Sequence, residues 1–440
     1  MKYDKFFALA KEAGIQEAEL YISQKYEISV SLFHGEVDNN SVSNGFTILA
    51  RGSYNGKFGM ASCDVWNAEK AAFLVKEIVA NAKVIENEDP VFIFKGSEKY
   101  NKINYFNKNL ALIPLEDKLA KLYELEKALR DYDKRIVEVQ TVEYSENANS
   151  ITLINTNGLK LVQKSNHYSY VGVVAAKEGN QAKTGFEVMF DNDFSKADMK
   201  LLAKKIGEKA IQQLGGEACD SNTYKAVLSP DVVSDLVRFY VGHASAEEVQ
   251  KRSSLFIGKV NQKVASSKVT IEEKPLSRNL FARWFDDEGV ATKNKFIIKN
   301  GVLQGYLYNL TTAHKDGVAS TGNGYIGGGK MDVDLGFLAV RPGKKSQDEL
   351  FAEIGDGVYI TEVSGLHSGM NPQSGNFSLQ STGFLIKDGK KGRGLDLITV
   401  SGNIVDLFKD IQAVGSDVKV FPSAVSCSSV MIKKIIVSGK

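Results

Sequence analysis

Cysteine is scarce in this chain of 440 residues. The three present, Cys63, Cys219 and Cys427, are odd in number, far apart and free of any C-x-x-C pair. That pattern excludes a disulfide framework and a cysteine-based zinc knuckle, and it favours a reducing compartment. A surplus of either charge is missing too. Lys plus Arg number 55 against 53 Asp plus Glu, a net charge of +2, which gives no reason to expect a nucleic-acid or anionic-membrane surface. No apolar run approaches the roughly 20 residues of a membrane span. The opening "MKYDKFFALAKEAG" interrupts its apolar residues with Asp4, Lys5 and Lys11, so it lacks a secretory core. Short repeats and low-complexity segments are also absent. The expectation is a cytoplasmic soluble protein with no direct nucleic-acid or membrane partner.

What remains is ordinary globular material, 43% hydrophobic and 25% charged, on a chain too long for one core. The first segment reads as a helix with Phe6, Phe7, Leu9 and Ala10 on one side and Gly14 at its end. "AELYISQKYEISVSLFHGEVDN" alternates as strands do and breaks at His34-Gly35. "GFTILARGSYNGKFGMASC" predicts a hairpin bent at Asn55-Gly56. Asn67 caps one helix and Pro114 starts another. Strand-like pieces run from Ile136 to Val174, broken at Asn157-Gly158. A helix then opens on Ser195, with Asp198 three residues later, and stops at Gly215-Gly216. Beyond about Tyr224 the pattern turns to short strands and glycine-rich turns, with three helices: after Ser229-Pro230, after Ser346, and near "NIVDLFKDIQ". Without regular strand–helix alternation the class is α+β. Two domains are expected, residues 1–215 with helices and antiparallel sheet, and residues 224–440, rich in strands.

The helix after Ser229-Pro230 carries a histidine. Val233, Leu236, Val237, Tyr240 and Ala244 mark its buried face, and His243, seven residues after Leu236 and three after Tyr240, points to that face or its margin. A catalytic zinc takes three protein ligands and a nearby carboxylate as general base. One turn before His243 stand Arg238, Phe239 and Tyr240, with no second histidine and no glutamate. A guanidinium does not ligate a metal and a phenyl ring is no base. Residue chemistry therefore favours a satisfied or cleft-lining histidine over a ligand, with ligation left open.

Several ordered stretches resemble the TldD/PmbA family, long named modulators of DNA gyrase and regarded as metallopeptidase subunits. They are "FDDEGV" (Phe285 to Val290), "IIKNGVLQGYLYN" (Ile297 to Asn309), "STGNG" (Ser320 to Gly324), "SGLHSGMNPQSGNFSLQSTGFLIKDG" (Ser364 to Gly389), "ITVSGN" (Ile398 to Asn403) and "VGSD" (Val414 to Asp417). "HGEVDN" and the first hairpin fit as well, so the likeness spans nearly the whole chain. In the TldD branch this helix carries His-Glu-x-x-x-His, and a Cys-Gly-Lys near the C-terminus adds a ligand. Here Arg238 falls on the first histidine, Phe239 on the glutamate, and Gly242-His243 on the end of the motif. After "VGSD" no Cys-Gly-Lys follows, and Cys427 does not take the ligand role. The resemblance thus implies the PmbA (TldE) branch: a non-catalytic subunit that pairs with a TldD-type partner, the zinc sitting in that partner. Peptides and unfolded proteins are the implied substrates, and a homodimer is open to the isolated chain. An independently active metallopeptidase and a peptide-binding module without hydrolysis are the alternatives.

No catalytic residue and no metal ligand are assigned to the chain. The cleft or peptide-binding candidates are His243, Asp286, Glu288, Asn309, Thr321, Asn323, His367, Asn371, Ser374 and Asn376. "DDE", Asp286 to Glu288, reads as a solvated turn or as an organiser of the cleft or subunit contact. "NPQSGNFS" reads equally as a turn between strands and as a loop that takes up an extended peptide. His314 and His367 lie in loop-like segments. "GYIGGGKM" has P-loop spacing, but Met331 offers no hydroxyl for Mg²⁺ and a strand-like run follows. A glycine loop bordering a cleft is expected instead. "KDGKKGR" is expected to be a hairpin tip.

Overall fold

The computed structural model describes residues 3–86 and 91–440. Its first half is built on β1 (Glu17–Phe33), β2 (Glu36–Tyr54), β3 (Lys57–Cys63), β4 (Ile136–Asn155), β5 (Lys160–Glu178) and β6 (Gln181–Asp191). These form one antiparallel sheet in the order β3-β2-β1-β4-β5-β6. The predicted turns are where the backbone needs positive φ: His34-Gly35 at 54° and 80°, and Asn55-Gly56 at 51° and 77°. Asn-Gly accepts that conformation at little steric cost, which sets the register of β2 on β3.

Four helices cover one face of this sheet: α1 (Asp4–Glu12), α2 (Ala68–Val84), α3 (Leu115–Arg130) and α4 (Met199–Gln212). α1 and α2 pack on Ala18, Leu20, Ile22, Ile48 and Ala50. α3 and α4 pack on Val30, Leu32, Val142, Tyr144 and Tyr170. The β1 residues of both cores are even-numbered, so both lie on the same face, at its two ends. Odd-numbered Glu19 and Tyr21 face the other way, towards the second half of the chain. There Leu153 and Leu161 meet Trp284 and Phe285 in a cluster drawn from both halves.

The second half comprises β7 (Asn222–Leu228), α5 (Pro230–Gly242), α6 (Ala246–Gln250), β8 (Ile271–Glu273), β9 (Lys295–Lys299), β10 (Val302–Leu303), α7 (Leu310–Asp316), β11 (Gly324–Gly327), β12 (Lys330–Val333) and β13 (Leu338–Val340). It continues with α8 (Gln347–Ile354), β14 (Gly357–Ser364), α9 (Leu366–Gly369), β15 (Asn376–Lys387), β16 (Lys390–Asn403), α10 (Ile404–Lys409), β17 (Ile411–Val414), β18 (Lys419–Phe421), β19 (Val425–Cys427) and β20 (Val430–Ser438). Two six-stranded sheets, β16-β15-β14-β7-β20-β17 and β10-β9-β8-β13-β19-β18, share one core with α5. Val233, Leu236, Val237, Tyr240 and Ala244 are all buried in it, as the helical spacing predicts. The fold is α+β, strand-rich in both halves.

Several expectations need correction. α4 is capped by Asp198, whose carboxylate accepts from Leu201 N–H at 2.9 Å, and Ser195 lies in the turn before it. A short aspartate serves better as the cap itself than as a partner reaching back to one. β6 extends the first sheet beyond the predicted strands. The second half has six helical segments among the described residues rather than three. His314 lies in α7 and His367 in α9, neither in a loop.

Candidate functional site

α5 delivers His243 to the interior. Ser229 caps it by accepting from Val232 N–H at 3.3 Å, Pro230 occupies the first turn, and His243 ends it with only 6% of its surface exposed. Leu255 N–H donates to His243 Nδ1 at 3.3 Å. That bond makes Nδ1 the acceptor and leaves the proton of the neutral ring on Nε2. Nε2 has no hydrogen-bond partner. Phe239 packs edge-to-face on the imidazole at 5.2 Å and Phe256 lies at 6.1 Å. Burial holds the pKa of His243 below its ordinary value, against the pull of Glu248.

The neighbouring positions have other duties. Arg238 pairs with Asp334 at 3.1 Å and donates to the Ser423 carbonyl at 3.2 Å. Cys427 is buried, its thiol directed to the Pro230 carbonyl at 3.3 Å, and burial pushes its pKa far up. A catalytic zinc needs three ligands and an ionisable base around one point. The residues around His243 supply one nitrogen, a guanidinium committed to a carboxylate, and a phenyl ring. They do not fit that metal. Among the described residues no three His, Cys, Asp or Glu side chains gather in a metal-binding arrangement.

A second constellation brings five of the predicted residues together. Asp286, Asp287 and Glu288 form a turn, but a buried one, with 0%, 4% and 2% exposure. Asp286 accepts the N–H groups of Glu288 (3.0 Å), Val290 (2.9 Å) and Gly324 (2.9 Å). Asp287 pairs with Arg283 and accepts Ile326 N–H at 2.9 Å. Glu288 accepts Leu310 N–H, at the start of α7, at 2.7 Å. Asn309 closes a capping box with Thr312 on that helix. Thr321 donates to Asn323 at 2.8 Å, and Asn323 donates to buried Glu273 at 2.8 Å. Burial and the charge of Glu288 push Asp286 well up, and burial with the charges of Glu19 and Asp287 raises Glu288. Three N–H donors work against that at Asp286, and the Arg51 guanidinium with one N–H donor works against it at Glu288. Glu288 is pushed up to about 7, with Arg51 opposing the effect of burial.

Beside this knot lies a cavity of about 400 Å³ between the halves. The first sheet contributes Glu19, Tyr21, Leu49 and Arg51, and the second half contributes Glu247, Glu288, Asn309, Ile326, Lys330 and Met331. Arg51 is paired with Glu19 at 2.7 Å in a nearly water-free setting. The wall mixes apolar side chains such as Leu49, Ile326 and Met331 with acidic and basic groups of both halves, so it offers polar anchors as well as apolar surface. Gly328 and Gly329, at φ 57° and 80°, turn β11 into β12, so the run with P-loop spacing is a hairpin whose Gly329 and Lys330 border this cavity. Sequence reasoning missed Glu19, Arg51, Glu273 and Arg283. Nothing local marks them, because their partners lie at distant positions in the chain.

The remaining candidates lie apart from the cavity. His367 is exposed on α9. Asn371 folds back to accept the N–H groups of Gln373 and Ser374 at 3.0 and 2.9 Å, and Asn403 donates to Asn376 at 2.9 Å. This loop is a self-bonded turn between strands. It touches the His243 region through Leu255, which lies 3.2 Å from where a Cβ on Gly375 would sit.

Three consecutive family profiles match the chain: PmbA/TldA metallopeptidase domain 1 over residues 18–82, the central domain over 108–214, and the C-terminal domain over 221–439. The chain belongs to the PmbA/TldD family. A metalloprotease PmbA homolog of Buchnera aphidicola is 31% identical over 322 residues, 71% of this chain and 68% of its own. The metalloprotease PmbA of Escherichia coli O157:H7 is 24% identical over 430 residues, 96% and 92% of the two chains. Among solved structures, a candidate modulator of a DNA gyrase from Thermotoga maritima superposes with a TM-score of 0.91 at 30% identity, covering 99% of each chain. TldE from Thermococcus kodakarensis, at 21% identity, gives 0.91 over 100% of each and shares the fold.

Proposed function

We propose that the chain is the non-hydrolytic, TldE/PmbA-type subunit of a cytoplasmic zinc-dependent peptidase that processes peptides and unfolded proteins. In this reading a TldD-type partner holds the zinc, and this chain binds none and completes the wall of the peptide cleft. The observation that carries it is the surroundings of His243. Nδ1 is taken by a backbone N–H, Phe239 covers the ring, and Arg238 is tied to Asp334. The cavity between the halves, lined by apolar side chains and by acidic and basic groups, suits a bound peptide segment that offers both apolar and polar contacts.

The names of the relatives, metalloproteases, favour a second reading in which this chain hydrolyses peptides alone. A cleavage assay on this chain, on a TldD-type subunit and on their mixture separates the two. The expected result is no turnover from this chain, activity in the mixture, and well below one equivalent of zinc after dialysis against the metal. Chelator-sensitive cleavage by this chain alone, abolished by His243→Ala, would overturn the proposal.

A further inference from the structure

The buried charges around the cavity between the halves do not balance. Two guanidinium groups are committed to carboxylates, Arg51 to Glu19 at 2.7 Å and Arg283 to Asp287. Asp286 and Glu288 are left over. Asp286 is wholly enclosed and accepts three backbone N–H groups. Glu288 lines the cavity and accepts one, from Leu310, and among the described residues no lysine or arginine forms an ion pair with it. An unpaired carboxylate at 2% exposure must either hold a proton or take a cation. Alone it holds a proton, which is why burial pushes Glu288 up to about 7.

A positively charged ligand would release that proton and supply the third cation for Glu19, Asp287 and Glu288. A carboxylate ligand would add a further negative charge instead. The exposed rim does not share the imbalance. There Glu247 of α6 pairs with Lys251 and lies 3.6 Å from Lys330, with Asp332 beside it, and Lys315 of α7 borders the same opening. Between rim and floor lie the half-buried apolar side chains of Leu49, Ile326 and Met331. An entering group therefore meets apolar surface first and a carboxylate last, the order in which a lysine side chain presents its methylene stem and its charge. We propose that this cavity takes a lysine side chain of a bound peptide, its stem along Leu49, Ile326 and Met331 and its ammonium group on Glu288. The inference rests on the reading of the cavity as part of a peptide cleft.

Calorimetric titration of the full chain with acetyl-Ala-Lys-Ala-amide, and with the same peptide carrying norleucine or glutamate at its centre, tests this. At pH 8 the lysine peptide should bind at least about tenfold tighter than the norleucine peptide. At pH 6, where Glu288 holds its proton, that preference should fall by about tenfold. Binding there should also release protons, seen as a heat that varies with the ionisation enthalpy of the buffer. Glu288→Gln, which still accepts from Leu310 N–H, should abolish the preference and the proton release while norleucine binding persists as the sign of an intact cavity. Equal binding of the lysine and norleucine peptides would overturn the ammonium site and leave the peptide cleft standing. Binding of none of the three would remove the cavity from the cleft and the proposal with it. Tighter binding of the glutamate peptide, or a lysine preference untouched by Glu288→Gln, would overturn it as well.

Discussion

Glu288 and His243 are both buried ionisable groups, and they bias stability in opposite directions with pH. Glu288 titrates near 4.5 when unfolded and near 7 in the fold. The folded chain keeps this proton where the unfolded chain has lost it, so its contribution is full below about 4.5 and is lost as pH rises to 7. Glu288→Gln, which mimics the protonated form, should match wild type at pH 4.5 and exceed it by about 3 kcal/mol at pH 8. Urea melts at the two pH values test this, and a constant difference would refute it. His243 is held neutral, so its contribution is present above the ordinary histidine range and fades as pH falls below about 6.5. His243→Gln should therefore flatten the decline in melting temperature between pH 7 and 5.5, and an unaltered slope would count against the assignment. The helical period alone placed His243 on the buried face. It did not reveal that "DDE" is buried, because the N–H donors come from Leu310, Gly324 and Ile326, positions that only the folded chain brings near.

At the level of elements, the sheet holds its helices close through glycines on its outer strands. A Cβ on Gly59 of β3 would lie 1.8 Å from the Ile78 carbonyl of α2, and one on Gly185 of β6 would lie 2.2 Å from the Ile206 carbonyl of α4. Backbone cannot yield as a side-chain tip can. Gly59→Ala should cost about 2–4 kcal/mol by pushing α2 off the sheet, read as a lower denaturation midpoint, whereas Gly56→Ala in the turn would act through its φ of 77° alone. A midpoint unmoved by Gly59→Ala would mean that the helix is free to shift. Elements with strong local signals were legible: both hairpin turns, and the caps Asn67, Ser229 and Ser346. α7 was missed although Asn309 and Thr312 form a capping box, since a seven-residue helix has too few turns to show a period.

The two halves are held together by charge as well as by the Leu153–Trp284 cluster. Glu187 of the first sheet pairs with Lys209 at 3.0 Å and with Lys419 at 2.8 Å, and Lys419 also reaches Asp231 at 3.1 Å. Glu187 is buried, which opposes its ionisation, yet the two lysines hold its pKa below the ordinary value. Lys419→Met should leave both carboxylates to Lys209 and cost about 1–2 kcal/mol, less than a fully buried pair because Lys419 and Asp231 are partly exposed. The expected readout is faster protease cutting between α4 and β7, where the chain crosses from one half to the other. An unchanged cutting rate, or one equally raised by a distant surface Lys→Met, would refute the role. None of this network was readable from the sequence, whose composition shift marks a passage between segments but not what bridges them.

Arg238 and Phe239 tie the sequence of this helix to its present contacts. Arg238→His with Phe239→Glu would write the letters of a zinc helix, yet each change strips a present support. The first releases Asp334, and the second sets a carboxylate where a phenyl ring now packs on the imidazole. Cys427, facing the Pro230 carbonyl at the other end of α5, would still supply no further ligand. Introducing the two changes one at a time would therefore cost stability before any metal could be held.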